Sequence, residues 1–187
     1  MANRNTQGFG LIPAGTLGST PATSGQGKYK IDAGSTTTIY NGAAVASNAG
    51  YIIDGQTTDA PILGVLNGIF YNAATTLKPT FANFYKQPIT PANSEDIDAF
   101  VFDNPQQQYV VATDDSVAQS GYLETYDMNT SAGDDTTGKS SATLDIGDTS
   151  ADAASFRLLR SAEDPENDEN AAFRSVVVVP NLIELQS

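Results

Sequence analysis

Apolar and polar residues alternate with period two along much of this chain, the spacing of strands buried on one face. KYKIDA at 28–33 sets Tyr29 and Ile31 on one side. TTTIY at 36–40 is rich in β-branched residues, and Asn41-Gly42 offers a two-residue turn into GAAVAS, so a hairpin is expected there. YIID at 51–54 is a short strand. APILGVLNGIFYN at 60–72 is a long apolar run. Its β-branched and aromatic content favours strand over helix, and Gly64 and Gly68 inside it suggest bulges or a sharp bend. Residues 77–91 combine three prolines with Phe81, Phe84 and Tyr85 and read as an irregular aromatic loop or an edge segment.

The pattern continues through the second half. IDAFVF (97–102) and QQQYVVAT (106–113) are strands separated by the Asn104-Pro105 turn signal. GYLETYDM (121–128) reads as strand. ATLDIG alternates apolar residues at 142, 144 and 146. SFRLLRS (155–161) alternates in part and reads as strand or helical turn. FRSVVVV (173–179) is a buried strand that Pro180 ends or bends, and NLIELQ follows it. Short strands, regular turn signals and no amphipathic helix predict an all-β protein: a compact β-barrel or sandwich. Residues 1–27 are rich in Gly, Thr, Ser and Pro but contain Phe9, Leu11, Ile12 and Leu17. They predict an extended N-terminal arm that orders against a partner or against its own barrel. Residues 28–187 then form the body, with room for a small loop-rich lobe.

Composition narrows the chemistry. The 187 residues include no histidine and no cysteine, which removes the commonest general base and all thiolate metal ligands. Net charge is −13, unfavourable for nucleic acid or an anionic membrane. The charge is uneven. Residues 1–90 hold five basic against three acidic residues, and residues 91–187 hold four against nineteen. The first half suits contact, and the second reads as a solvated, repulsive surface. No apolar stretch follows Arg4 as in a secretory leader, and no run is long enough to span a membrane as a helix, so synthesis in a cytoplasm is expected.

Three local motifs invite a chemical reading. GDDTTGKS, from Gly133 to Ser140, matches the phosphate-cradling loop G-x-x-x-x-G-K-[ST]. That loop needs a buried strand before it and a helix after it. Here ETYDMNTSA precedes, ATLDIGD follows with period two, and Asp134 and Asp135 would repel a triphosphate. A polar hairpin loop without nucleotide is the expectation. DPENDEN, from Asp164 to Asn170, carries oxygen ligands that could suit calcium, but it lacks the EF-hand spacing and its glycine, so a solvated turn is the default. Asp114-Asp115 reads as a turn rather than an acid–base dyad. With no credible nucleophile–base pair, the chain is not expected to be an enzyme, and no cofactor or metal is assigned.

The order of segments resembles that of head decoration (cement) proteins of tailed bacteriophages. GFGLIPAGTLGS is similar to their Gly-Phe-x-x-Pro-x-Gly-x-Leu-like arm. KYKIDAG, IYNGAAV, ILGVLNGIF, YVVATDD, SATLDIG, SFRLLRSAEDPEN and VVVVPNLIE follow in the family's order. The chain departs from the pattern at Asn41, where the family often has an acidic turn, and at Pro180. The resemblance implies a virion protein on the capsid exterior, made in the host cytoplasm, whose partner is the major capsid protein and which assembles as a homotrimer. It also implies that the arm carries Phe9, Leu11, Ile12, Pro13 and Leu17 to seams between capsid subunits. Deleting residues 2–17 is then expected to weaken capsid binding without unfolding the barrel. The alternative is a carbohydrate- or receptor-binding β module displayed on the virion, with exposed Tyr or Phe as its platform.

Overall fold

The computed structural model of the protein describes residue 3 and residues 5–18, 25–55, 61–129, 132–147, 154–168 and 170–186. In chain order the strands are β1 (Ile12–Thr16), β2 (Gly27–Ile31), β3 (Ala44–Asn48), β4 (Tyr51–Asp54), β5 (Gly64–Asn72), β6 (Pro79–Ala82) and β7 (Ile97–Phe102). They continue as β8 (Gln107–Ala112), β9 (Thr125–Tyr126), β10 (Gly133–Asp134), β11 (Lys139–Ser140), β12 (Phe156–Ser161) and β13 (Ser175–Pro180). Among the described residues the only helical elements are three short 3-10 turns, at Ala92–Ser94, Gln119–Gly121 and Glu184–Gln186.

Two antiparallel sheets pack into a compact sandwich. Sheet A has the order β1-β8-β13-β12-β9. Sheet B has the order β2-β7-β5-β3-β4, with β6 added beside the far half of β5. Strands β10 and β11 form a separate two-stranded hairpin. Alternation explains the layering. From β8, Tyr109 and Val111 point into the space between the sheets, where they meet Phe156, Leu158, Val176 and Val178 of sheet A and Ala44, Val65 and Phe102 of sheet B. Tyr109 and Phe156 meet edge to face, with centroids 6.4 Å apart, a favoured aromatic geometry.

Sheet B also curls on itself. Its edge strands β2 and β4 approach each other, and the curl encloses a second core of Ile31, Val45, Leu66, Ile69, Ile97 and Val101. Val65 and Leu66 therefore serve different cores from adjacent positions, as strand periodicity requires. The register of β5 against β7 shifts between Leu66 and Gly68, which is the bulge that the glycines predict. Gly64 sits where an added Cβ would lie 2.3 Å from the Phe102 carbonyl oxygen, so only glycine admits this approach.

The hairpin expected at Asn41-Gly42 does not form. Ile39 bridges to Tyr85, and Asn41 bridges to Lys139. The turn lies instead at Ala49-Gly50, both with positive φ (51° and 87°), joining β3 to β4 with Asn48 opposite Tyr51. That is the backbone form two-residue hairpins favour. GYLETYDM yields only the two-residue β9, and ATLDIG only single bridges of Leu144 to Thr113 and Met128.

The N-terminal segment is extended, but it is built into the body. Asn3 Nδ2 donates to Ala172 O (2.8 Å), and Asn5 Nδ2 to Ser175 Oγ (3.0 Å). Gly10 N donates to Ala142 O (3.2 Å) and Leu11 N to Gly42 O (2.9 Å). Residues 12–16 then pair with β8 as the edge of sheet A. Of the two destinations the sequence left open, the segment takes the protein's own sheet. The division expected at residue 27 coincides with the start of β2, yet the residues before it contribute a strand and a core side chain. Removing residues 2–17 would strip that strand and Leu11 from the sandwich, so this deletion should destabilise the body rather than leave it folded.

Candidate functional site

The five residues assigned to the arm part ways in the structure. Leu11 is 2% exposed and belongs to the core between the sheets. It cannot reach a partner from there, which corrects its place among the contact residues. Phe9 and Pro13 are half-buried. Ile12 is 49% and Leu17 36% exposed. The exposed pair brackets β1, whose outer edge has no strand beside it among the described residues. An apolar side chain on an edge strand is a ready point of attachment for another chain.

A second surface was not singled out in the sequence. Sheet A covers the outer face of sheet B only around Ala44, Val65 and Phe102. Among the described residues no strand of sheet A covers the rest of that face. Register places Phe70 beside Phe81 and Asp98, and Gly68 beside Phe100. Phe81 is 65% exposed, and its ring centroid lies 5.9 Å from that of Phe100. A Cβ on Gly68 would stand 3.1 Å from the Phe81 ring, so this ring also shields backbone that glycine leaves bare. Next to the rings, Lys28 Nζ and Lys30 Nζ reach Asp98 at 2.7 and 2.6 Å. Burial opposes ionisation of Asp98, but the two ammonium groups outweigh it and hold the carboxyl below its ordinary value. Lys30 is shifted upward by the same hydrogen bond. A cleft of about 250 Å³ opens here between Phe70, Asn72, Lys30, Glu95, Asp96 and Asp98. It offers an aromatic face with carboxylate, amide and ammonium groups at its rim. The sequence signal was present, since Phe70, Phe81 and Phe100 occupy alternating positions, but their union on one face depends on strand pairing.

The stretch from Gly133 to Ser140 is the β10–β11 hairpin, and single residues 142–147 follow without a helix. Asp134 folds the turn: its carboxylate accepts from Thr136 N (2.8 Å) and Thr137 Oγ1 (3.0 Å). Asp135 accepts from Tyr40 Oη (2.8 Å) and pairs with Lys86 (3.0 Å). Asp134 thus shapes the hairpin turn, and Asp135 ties the hairpin to the body. The strand–loop–helix context of a phosphate loop is not formed. In the acidic loop, Asp164 Oδ1 accepts from Glu166 N and Asp168 Oδ1 from Asn170 N, both at 3.0 Å. Asn167 Nδ2 donates to Ala162 O and Ser175 O. These are turn-forming bonds. Among the described residues no three potential metal-ligating side chains converge. Asp114 Oδ1 accepts from Ile146 N (2.9 Å) and Asp115 Oδ1 from Ser116 N (2.6 Å), so the pair serves two separate turns.

No protein-family model, no curated protein and no solved structure matches this chain.

Proposed function

We propose that this chain is a structural virion protein that binds the outside of an expanded bacteriophage capsid and cements neighbouring major capsid subunits. The observation that carries the reading is the edge strand β1. It sets Ile12 and Leu17 at the rim of a firmly packed sandwich, on the segment GFGLIPAGTLGS that resembles the arm of head decoration proteins. The segment is already ordered against the body. Its binding therefore does not carry the full ordering cost of a free arm, roughly 1–2 kcal/mol per residue. Assembly as a homotrimer would multiply a weak apolar contact through avidity. The acidic second half would face solvent and keep particles apart. The reading needs no cofactor, and the function is non-enzymatic.

The test is co-sedimentation of the purified full-length chain with expanded capsids that lack it. Saturable binding at a fixed ratio to the major capsid protein is expected. Absence of saturable binding at micromolar protein would overturn the proposal.

One observation favours a second reading, a carbohydrate-binding β module displayed on the virion. The half of sheet B that no described strand of sheet A covers combines the Phe70, Phe81 and Phe100 rings with the polar cleft at Asp98, the mixed lining that small-ligand sites use. Glycan-array binding that disappears in Phe81→Ala would favour this reading over the capsid.

A further inference from the structure

The stretch from Gly133 to Ser140 has a role that its phosphate-loop spelling conceals. GDDTTGKS contains no apolar side chain, so the β10–β11 hairpin adds none to either core. It lies instead against a pair of rings. Tyr40 and Phe84 are half-buried and stacked, with centroids 5.7 Å apart and planes within 6° of each other. Gly133 packs on the Tyr40 ring and Gly138 on the Phe84 ring, and a Cβ at either position would overlap the ring it meets. The two glycines let the hairpin backbone approach the rings directly. Gly138 also has a φ of 70°, which glycine adopts without steric cost.

Polar groups fasten the hairpin to the body. Asn41 N donates to Gly138 O and Ser140 N to Asn41 O, both at 2.9 Å. Asn83 Nδ2 donates to Thr137 O at 2.8 Å. Tyr40 Oη donates to Asp135 Oδ1, and Lys86 Nζ reaches Asp135 Oδ2. The Lys86 and Asp135 side chains are more than half exposed, and an ion pair in that setting adds little. The hairpin keeps its own shape through other bonds. Gly138 N donates to Asp134 O at 2.7 Å, and Thr136 N and Thr137 Oγ1 donate to the Asp134 carboxylate. Ala142, just beyond it, is fully buried and anchors the chain there. A segment with polar fastenings and no side chain in a core belongs to the low end of local stability.

We propose that the β10–β11 hairpin is a strap that lifts as one unit, with both cores intact, and uncovers the Tyr40–Phe84 ring pair. The closed form covers the rings with backbone. The open form presents them as a stacking surface. The inference rests on how the hairpin is fastened, and it stands independently of the capsid proposal.

The experiment compares the parent full chain with Asn83→Ala. Asn83 is exposed, and the change removes its bond to Thr137 O while leaving Tyr40, Asn41 and Asp135 in place. Amide hydrogen exchange is followed by NMR at Asn41 and Ser140, with Val101 and Val178 as core references. Acetylation of the Tyr40 phenol by N-acetylimidazole is followed by peptide mass. Lifting as a unit predicts that exchange at Asn41 and Ser140 and acetylation of Tyr40 all rise by one common factor, about threefold to tenfold for one lost hydrogen bond, with Val101 and Val178 unchanged. A rise at only some of the three reporters would mean local fraying and would overturn the proposal. So would no rise at any of them, or an equal rise at Val101 and Val178.

Discussion

Leu11 and Ile12 are neighbours with opposite roles, and this contrast makes the account testable residue by residue. Leu11 is buried between the sheets, so Leu11→Ala should destabilise the fold by about 2–5 kcal/mol, measured by urea unfolding. Ile12 is half exposed. Ile12→Asp should leave the unfolding free energy within about 0.5 kcal/mol of the parent, the usual range for a surface change, while weakening capsid binding. If both variants lose stability equally, the assignment of faces on β1 is wrong. Asp98 provides a pH test. Its carboxyl is held below its ordinary value of 3.8 by Lys28 and Lys30. A depressed folded value contributes stability that is present above the unfolded pKa and disappears as pH falls through the folded one. Asp98→Asn should therefore be less stable than the parent at pH 7, and the gap should narrow as pH falls below the ordinary carboxyl value of 3.8 and through the lower folded one. A gap that persists at low pH would assign the effect to packing. Tyr29 works in the opposite sense. Burial and its bond to Asp103 push the phenol up from 10.0 to about 12. The stability this contributes is complete below pH 10 and declines as pH rises towards 12, a loss that Tyr29→Phe should lack.

At the scale of elements, the strands most legible in the sequence are those whose alternation reports a single neighbouring core. β2, β4, β7 and β8 are of this kind, and β13 announces itself as an unbroken apolar run buried on both faces, whereas the partial alternation of β12 left strand and helical turn both open. The bulge at Gly68 was legible too. What escaped depends on distant partners. Asn41-Gly42 has the residues of a hairpin turn, but Asn41 N donates to Gly138 O and Ser140 N to Asn41 O. Contacts nearly a hundred positions away thus outweigh local turn preference. The N-terminal segment escaped for the same reason: nothing in GFGLIPAGT states that its strand partner is β8. Its glycines carry the consequence. Gly10 has φ of 73°, and a Cβ there would stand 2.8 Å from Ser140 Cβ and 2.9 Å from Gly42 O. Gly10→Ala should cost at least about 1–2 kcal/mol, the usual penalty of the left-handed region. It should also speed amide exchange at Leu11 more than at Val178. Equal acceleration at both would mean that the segment does not open separately. The aromatic face was hidden likewise, since it unites side chains of β5, β6 and β7 through pairing that local pattern does not encode.

Across the whole molecule, the two sheets assign different work to different faces. One face of sheet A and one part of sheet B make the shared core. The curl of sheet B makes a second core, and the N-terminal strand completes the rim. Charge follows a related division, with the acidic second half interrupted by Arg157 and Arg160 on β12. The proposed trimer belongs to this scale. Sedimentation velocity of the free protein should show one species of three chains, and a strictly monomeric profile at micromolar concentration would remove avidity from the mechanism. The central claim is that the β1 edge faces a capsid. Its most direct test is a cryo-electron microscopy map of expanded capsids decorated with the full chain. The account predicts added density on the outer surface at threefold or quasi-threefold positions, with Ile12 and Leu17 turned towards the major capsid protein. Particles without added density, or density with the β1 edge directed into solvent, would contradict it.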